Sequence, residues 1–151
     1  MAEREYCASV VLDCGSELTK AGLAGDGAPC VVFPSLVGRL RHSNVLTGLS
    51  VPNVFVGREA KEKRGILSLK YPVERSSLVN WEDMEALWCH ALCKELCVAP
   101  EESSVLLTEF PLVPKKNWTR TTEIMFDTFS VSALCLASQP APSLVVQLQR
   151  S

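Results

Sequence analysis

Residues 7–12 form an almost continuous apolar run rich in valine, which ends at Asp13 and Gly15. A short apolar run bounded by turn residues is typical of a strand that is buried on both faces. A second apolar segment follows at residues 20–24, after a polar stretch of a length that joins antiparallel strands. The start of the chain therefore predicts a buried β-hairpin.

The next part of the chain contains shorter segments with a strand pattern, on either side of a stretch without a helical or strand period. Residues 30–33 predict a third strand. Residues 34–52 mix glycine, serine and basic residues with isolated apolar ones, so we expect a long loop or a small excursion there. Strands are then expected at residues 54–56 and 66–70, on either side of a charged helical turn at residues 58–64.

The clearest helix signal begins at Asn80, whose side chain can cap the first turn, and extends to about residue 97. Its apolar residues fall on one helical stripe, as in a helix that covers a sheet: Met84, Leu87, Trp88, Ala91, Leu92 and Leu96. A strand at residues 105–107, a helix at 117–129 and a strand at 131–137 are expected to follow. This order indicates an α/β protein with a mixed sheet.

The composition of the 151 residues excludes several classes of protein. With 47% hydrophobic and 21% charged residues, the chain can bury a core rather than remain disordered. The 17 acidic residues outnumber the 15 Lys and Arg residues, which argues against a polyanion as partner. The apolar stretches are far shorter than the roughly 18 residues of a membrane span. We therefore expect an intracellular protein with neither nucleic acid nor membrane among its partners.

The seven cysteines form an odd set without a CxxC pair, which argues against a disulfide framework and a common zinc site. Cys89, Cys93 and Cys97 recur every four residues and would share one helical face, so a metal site is the alternative. Thiols are ordinary core residues, and packing is the preferred interpretation. His90, beside the apolar stripe, is interpreted as a packed or solvated imidazole rather than a catalytic base.

The turn between the first two strands carries the chemically most suggestive residues. A tight turn with Gly15 can direct successive backbone N–H groups at one phosphate. Ser16 adds a hydroxyl donor, Lys20 adds a positive charge, and the Asp13 carboxylate can hold the water shell of Mg²⁺. The pattern is not the GxxxxGK[ST] loop, and such turns are common in hairpins, so alone it is a weak indication.

Many short motifs, in one order, resemble actin. The first are Asp13-Cys14-Gly15-Ser16, Ala21-Gly22-Leu23-Ala24-Gly25-Asp26 and Val32-Phe33-Pro34-Ser35. Further along come Lys63-Arg64-Gly65-Ile66-Leu67, Leu69-Lys70-Tyr71-Pro72, Val98-Ala99-Pro100-Glu101-Glu102 and Leu106-Leu107-Thr108-Glu109. The likeness covers about residues 10–139 almost without gaps, so the chain is identified by resemblance as a divergent actin-like protein.

The resemblance implies the N-terminal part of the actin fold, which is a ribonuclease-H-like mixed sheet with flanking helices. Residues 1–33 and 70–139 would form most of the large outer subdomain, and residues 34–69 a small inserted subdomain. Residues 140–151 would form a divergent tail, in which only Ser143-Leu144 still resembles the family. The loop at residues 44–53 matches the segment by which one filament subunit contacts the next.

The same resemblance implies roles for individual residues. In actins the turn that matches Asp13, Gly15, Ser16 and Lys20 wraps the phosphates of ATP, and Asp13 would reach Mg²⁺ through water. Gln139 matches the position that helps to place the water attacking the terminal phosphate.

Departures from the family lower the expected affinity for ATP. Glu17 stands where actins carry glycine, and two like charges about 4 Å apart repel by about 1 kcal/mol in water and more in a shielded site. Trp118 replaces a basic residue on the outer helix. An actin continues for more than the same length again beyond Ser151, so we expect a truncated or alternatively spliced product with half of the nucleotide cleft missing and apolar sheet surface left open.

Two functions follow as alternatives from the resemblance and these departures. The preferred one is a non-enzymatic actin-like protein of the cytoplasm and cytoskeleton, with other proteins, such as actin or actin-binding proteins, as partners. The alternative is an actin-related protein that binds ATP with Mg²⁺ and hydrolyses it slowly.

Overall fold

The computed structural model describes residues 8–41, 53–74, 77–78, 80–110 and 114–138. Its elements in chain order are β1 (Ala8–Cys14), β2 (Leu18–Leu23), β3 (Val31–Pro34), β4 (Val37–Leu40), β5 (Val54–Val56), α1 (Arg58–Glu62), β6 (Leu67–Lys70), β7 (Val73–Glu74), β8 (Ser77–Leu78), α2 (Trp81–Cys89), β9 (Ser103–Glu109), α3 (Lys115–Glu123) and β10 (Ala133–Ser138). A short 3₁₀ turn, Pro100–Glu102, precedes β9.

A five-stranded mixed sheet forms the centre, in the order β10-β9-β1-β2-β3. β1 pairs in parallel with β9 and antiparallel with β2, and β9 pairs in parallel with β10. Among the described strands, β10 and β3 are the two edges of this sheet, and β3 pairs antiparallel with β2. The predicted α/β class with a mixed sheet is thus confirmed, and so is the pairing of the N-terminal hairpin. The prediction that its first strand is buried on both faces is wrong, because only alternate residues of β1 are fully buried.

The two longer helices cover one face of this sheet. Alternate residues of β1 and β9, including Leu12 and Leu107, form one buried cluster with Leu87 of α2 and with Met125 just beyond α3. Both helices continue as π-helical segments, His90–Glu95 and Ile124–Thr128. The predicted cap of α2 is confirmed, because the Asn80 side chain accepts the N–H of Asp83 at 3.1 Å.

A separate three-stranded antiparallel sheet has the order β5-β4-β6. Its central strand, β4, lies in the stretch where the sequence predicts a loop, so that prediction is wrong for Val37–Leu40. Because β4 contains a glycine and an arginine, its sequence does not show the alternation of a strand. Its strand conformation is stabilised by hydrogen bonding to β5 and β6 on its two sides. Gly38 is needed for close packing, since a Cβ there would lie 2.7 Å from the Leu67 Cδ1 atom.

Smaller differences from the sequence prediction also occur. The β7–β8 hairpin is not predicted, and α3 begins at Lys115, two residues before the expected start at Asn117. β9 is longer than the three apolar residues from which it is predicted. Its polar end residues also belong to the strand, because they pair with β1 and β10. Residues 44–52 of the predicted filament loop, Gln139 and the tail at 140–151 lie outside the described residues. The subdomain boundaries stay a prediction.

The face of the five-stranded sheet opposite the helices is less covered. Val11 and Leu106 are only half-buried there. Leu18 and Val32 are 47% and 38% exposed, and the register of β2 and β3 makes them diagonal neighbours on this face. Among the described residues, apolar side chains are therefore accessible on this face of the sheet.

No helix among the described residues is long and apolar enough to cross a lipid bilayer.

An ion pair joins the small sheet to α2. The Arg39 guanidinium on β4 donates to Asp83 Oδ1 from Nε at 3.0 Å and from Nη2 at 2.8 Å. Asp83 is 1% exposed, whereas the Arg39 side chain is 43% exposed. Removing Arg39 would leave a buried carboxylate without its counter-charge, which is the costly way to break such a pair.

We therefore expect Arg39→Met to lower the free energy of unfolding by about 2–3 kcal/mol, less than for a fully buried pair because Arg39 is partly solvated. Arg120→Met is the matched control, because it breaks the exposed Arg120–Glu123 pair of 3.3 Å and should cost no more than about 0.5 kcal/mol. Urea unfolding of both variants measures the difference. Equal costs would contradict a structural role for the Arg39–Asp83 pair.

Candidate functional site

The turn between β1 and β2 is held closed by its own backbone. The Gly15 N–H donates to the Leu18 carbonyl at 3.0 Å, and the Ser35 N–H donates to the Glu17 carbonyl at 2.8 Å. A Cβ at residue 15 would lie 2.9 Å from the Leu18 oxygen, so the turn needs glycine for close approach. Gly15 therefore shapes the turn, and its N–H is already used within it.

The carboxylate of Asp13 is fixed by a residue far away in the chain. The Thr108 hydroxyl on β9 donates to Asp13 Oδ1 at 2.7 Å. Parallel pairing of β1 with β9 brings the carboxyl ends of both strands to the same edge, so the two side chains meet. Lys20 lies directly opposite Asp13 in the register of β1 and β2, which places a cation beside the carboxylate.

The turn offers donors that an anion can use. Among the described residues, no acceptor is found for the N–H groups of Ser16 and Glu17. The Ser16 side chain is half-buried, whereas Glu17 and Lys20 are exposed. Two adjacent N–H groups, a hydroxyl and an ammonium group form a donor set that fits a phosphate. The Glu17 carboxylate, on the same turn, opposes that fit.

A buried polar layer supports the turn from the core side. The hydroxyls of Thr19 and Ser35, both fully buried, lie 2.7 Å apart and share a hydrogen bond. Burial raises the pKa of the neighbouring Cys14 thiol to about 12, although a hydrogen bond with Thr19 acts in the opposite direction. Cys14 is therefore an inert packing residue beneath the turn.

Glu109 is a second carboxylate at this edge of the sheet, at the end of β9. Burial raises its pKa, and hydrogen bonds from Thr121 and Trp118 on α3 only partly offset that effect. Its Oε2 atom is buried without a hydrogen-bond partner among the described residues. Trp118 itself is 49% exposed.

The residues present fit Mg²⁺ only as a water-mediated ligand set. Asp13 supplies one carboxylate, and Mg²⁺ commonly combines one or two carboxylates with water and substrate phosphates. Among the described residues there is no group of three or more His, Cys, Asp or Glu side chains that could hold a metal alone. Asp13 could therefore contribute to Mg²⁺ binding only together with a bound polyphosphate.

The predicted residues Asp13, Gly15, Ser16 and Lys20 are thus brought together on one hairpin. The family model described as Actin matches residues 4–149. The chain belongs to the actin family. The described sheet and helices agree with a partial actin fold of the ribonuclease-H-like class.

Two contributors to the candidate site of this actin-family chain, Thr108 and Ser35, were not predicted from the sequence. Thr108 follows the apolar residues of β9, so the rule that the ends of parallel strands converge could have found it. Ser35 gives no comparable signal, because its role depends on contact with the β2 strand.

His90 does not contribute to the candidate site. Its Nε2 atom lies 2.9 Å from Glu95 Oε1, and its ring packs edge-on against Phe33 with the centroids 5.0 Å apart. The interpretation of His90 as a packed imidazole is confirmed.

The raised pKa of Glu109 predicts a pH-dependent stability. An acid with a raised pKa in the folded state stabilises the fold when protonated, and this contribution is lost as the pH rises through that pKa. Glu109→Gln should therefore raise Tm at pH 7 by roughly 1–2 °C, a small value because the group is partly solvated, and the gain should shrink towards pH 4. Thermal melts across this range measure it.

Glu62→Gln is the matched control, since it changes an exposed glutamate on α1 and should shift Tm equally little at both pH values. A lower Tm of the Glu109→Gln variant at pH 7, or the same gain at pH 4, would refute the role assigned to burial.

Proposed function

We propose that this actin-family chain is a non-enzymatic protein of the cytoplasm and cytoskeleton that acts by binding other proteins. The observation that carries the proposal is the exposed apolar pair Leu18 and Val32 on the less covered face of the sheet. Exposed neighbouring apolar side chains on a sheet face are typical of an interaction surface. The Asp13–Lys20 turn is proposed to contact phosphate only weakly.

Positively charged side chains flank this apolar pair, and they indicate that its partner carries negative charge. Lys20 is the cross-strand neighbour of Val32, and the Arg58 guanidinium donates to the Val32 carbonyl at 3.2 Å. A surface of this kind fits an apolar segment flanked by carboxylates, because both the burial and the charges are complementary. The first partner to test is monomeric actin, since protein partners are what actin-family membership implies.

The alternative function is ATP binding with slow hydrolysis, and it is favoured by the N–H groups of Ser16 and Glu17, for which the described part of the chain offers no acceptor. In that case Asp13, Ser16 and Lys20 would hold the phosphates and Mg²⁺, and Gln139 would place the attacking water. Glu17 argues against tight binding, because its negative charge lies on the turn that a polyphosphate must approach.

A thermal melt with and without Mg-ATP separates these functions, because a ligand present at 100 times its Kd adds about 2.7 kcal/mol to the stability of the fold. We expect 1 mM Mg-ATP to shift Tm of the natural chain by less than about 1 °C. Glu17→Gly removes about 1 kcal/mol of repulsion, so it should lower Kd roughly fivefold and enlarge the shift.

Glu17→Gln is the control that removes the charge but keeps the size of the side chain. If it acts like Glu17→Gly, the charge is the cause; if neither variant binds more tightly, the proposed effect of Glu17 is wrong. A large Tm shift of the natural chain together with release of phosphate would favour the enzymatic alternative.

The proposed surface is tested by the double variant Leu18→Gln and Val32→Thr. We expect it to weaken binding to monomeric actin at least roughly tenfold in a thermophoresis titration, because two apolar contacts are lost. Ile66→Thr is the matched control, since Ile66 is exposed but lies next to β6, in the other sheet. Equal weakening by the control, or no binding of the natural chain, would overturn this choice of surface and partner.

A further inference from the structure

The helix α3 and its π-helical extension carry two exposed aromatic side chains. Trp118 is 49% exposed and Phe126 is 43% exposed. Other residues of the same element, Thr121, Ile124 and Met125, are buried and hold it on the sheet. A large part of both aromatic side chains is thus left accessible, outside the contacts that fix the helix.

Thr122 lies midway between Trp118 and Phe126, four residues from each. Residues four apart on a helix are neighbours on its surface, so the three form one row, the aromatic stripe. The Thr122 hydroxyl donates to the Trp118 carbonyl at 2.8 Å. Because this donor is satisfied within the helix, the centre of the stripe can be covered by another apolar surface without losing a hydrogen bond.

Four exposed charged residues flank the aromatic stripe, with the cations nearer the start of α3 and the carboxylates nearer the end of its extension. They are Lys116, Arg120, Glu123 and Asp127. Lys116 and Asp127 are eleven residues apart, close to three helical turns, so they lie on the same side of the helix. The Arg120 Nη1 atom lies 3.3 Å from Glu123 Oε2, which places these two side chains together as well. The flank is therefore positive at one end and negative at the other.

This distribution of charge is complementary to itself when two copies of the helix run antiparallel. In a two-fold symmetric contact, a residue i that meets residue j of the second copy is itself met by j in return. A two-fold axis beside Thr122 brings three kinds of complementary residues to the same level, to within one residue: Trp118 with Phe126, Lys116 with Asp127, and Arg120 with Glu123. A single register thus pairs the aromatic residues and both sets of charges.

Other occupants of the aromatic stripe are less complementary. A second copy in the parallel orientation would bring Lys116 against Lys116 and Asp127 against Asp127. A uniformly acidic or uniformly basic partner would meet a like charge at one end of the flank. Such like-charge contacts act against these arrangements and favour the antiparallel one.

We propose that the aromatic stripe and its charged flank form an interface between two copies of this chain, with the two α3 helices antiparallel. A contact made by one helix of each copy is smaller than a standard protein interface, so the dimer is weak and depends on the protein concentration. Leu18 and Val32 lie on β2 and β3, away from α3, so self-association can be tested separately from the binding of another protein.

Sedimentation velocity of the full chain between about 1 and 300 μM tests the dimer. We expect the sedimentation coefficient to rise with concentration from the monomer value towards that of a dimer. Lys116→Glu and Asp127→Lys should each weaken the dimer at least roughly tenfold, because each turns two attractive pairs across the interface into repulsive ones. Both changes agree with the helix dipole, so the helix should persist.

An equimolar mixture of the Lys116→Glu and Asp127→Lys variants should restore the dimer, because every pair of these positions across the mixed interface again joins opposite charges. Trp118→Gln should weaken the dimer of the natural sequence at least roughly tenfold, since a central tryptophan usually contributes much of the binding energy. All three positions are exposed, so circular dichroism should show the native fold.

Lys61→Glu, which reverses an exposed charge on α1, and the double variant Leu18→Gln and Val32→Thr are the matched controls, and both should dimerise like the natural chain. A monomer at every concentration, a dimer that survives both charge reversals, or a mixture that stays monomeric would each overturn the antiparallel interface. A dimer that is lost in the double variant but kept in Trp118→Gln would also refute it, because self-association would then use the sheet face.

Discussion

The parallel pairing of β1 with β9 places Val10 opposite Val105 and Leu12 opposite Leu107, which joins segments almost a hundred residues apart. A slip of one residue would turn every side chain of β1 to the other face of the sheet. Leu12 would then leave the buried cluster, and Asp13 would lose the Thr108 hydroxyl. The register that builds the core is thus the same register that positions the carboxylate of the candidate site.

Features that depend on near neighbours in the chain could be predicted from the sequence. The hairpin of β1 and β2 follows from two apolar runs around a polar turn, and the start of α2 follows from the capping side chain of Asn80. The candidate site residues Asp13, Gly15, Ser16 and Lys20 lie on that hairpin, so finding the hairpin also found them.

Features that depend on distant parts of the chain could not be predicted. β4 becomes a strand because β5 and β6 pair with both of its edges, whereas its own residues show no clear alternation. Ser35 enters the site through its hydroxyl contact with Thr19 and through its N–H bond to the Glu17 carbonyl, and both depend on the pairing of β2 with β3. The exposure of Cys89 and Cys93 could not be predicted from the helical period alone, because the cysteines and the larger apolar residues form two adjacent stripes on the helix. The stripe of larger apolar side chains is the buried one, since these side chains bury more area per residue.

On α2 and its extension, the side chains that pack against the sheet and the cysteine thiols lie on different faces of the helix. The buried stripe, with Leu87 and Trp88, fixes the helix against the sheet, and Asp83 on the same helix anchors Arg39 of the small sheet. The thiols of Cys89 and Cys93 lie on the exposed face and contribute little to that packing. Substitutions there can change the chemistry of the surface at little cost in stability, because exposed positions away from caps and buried pairs usually shift the free energy of unfolding by no more than about 0.5 kcal/mol. The phosphate turn is the opposite case, since Gly15 and Asp13 both shape the fold and belong to the candidate site, and a change in either would alter both.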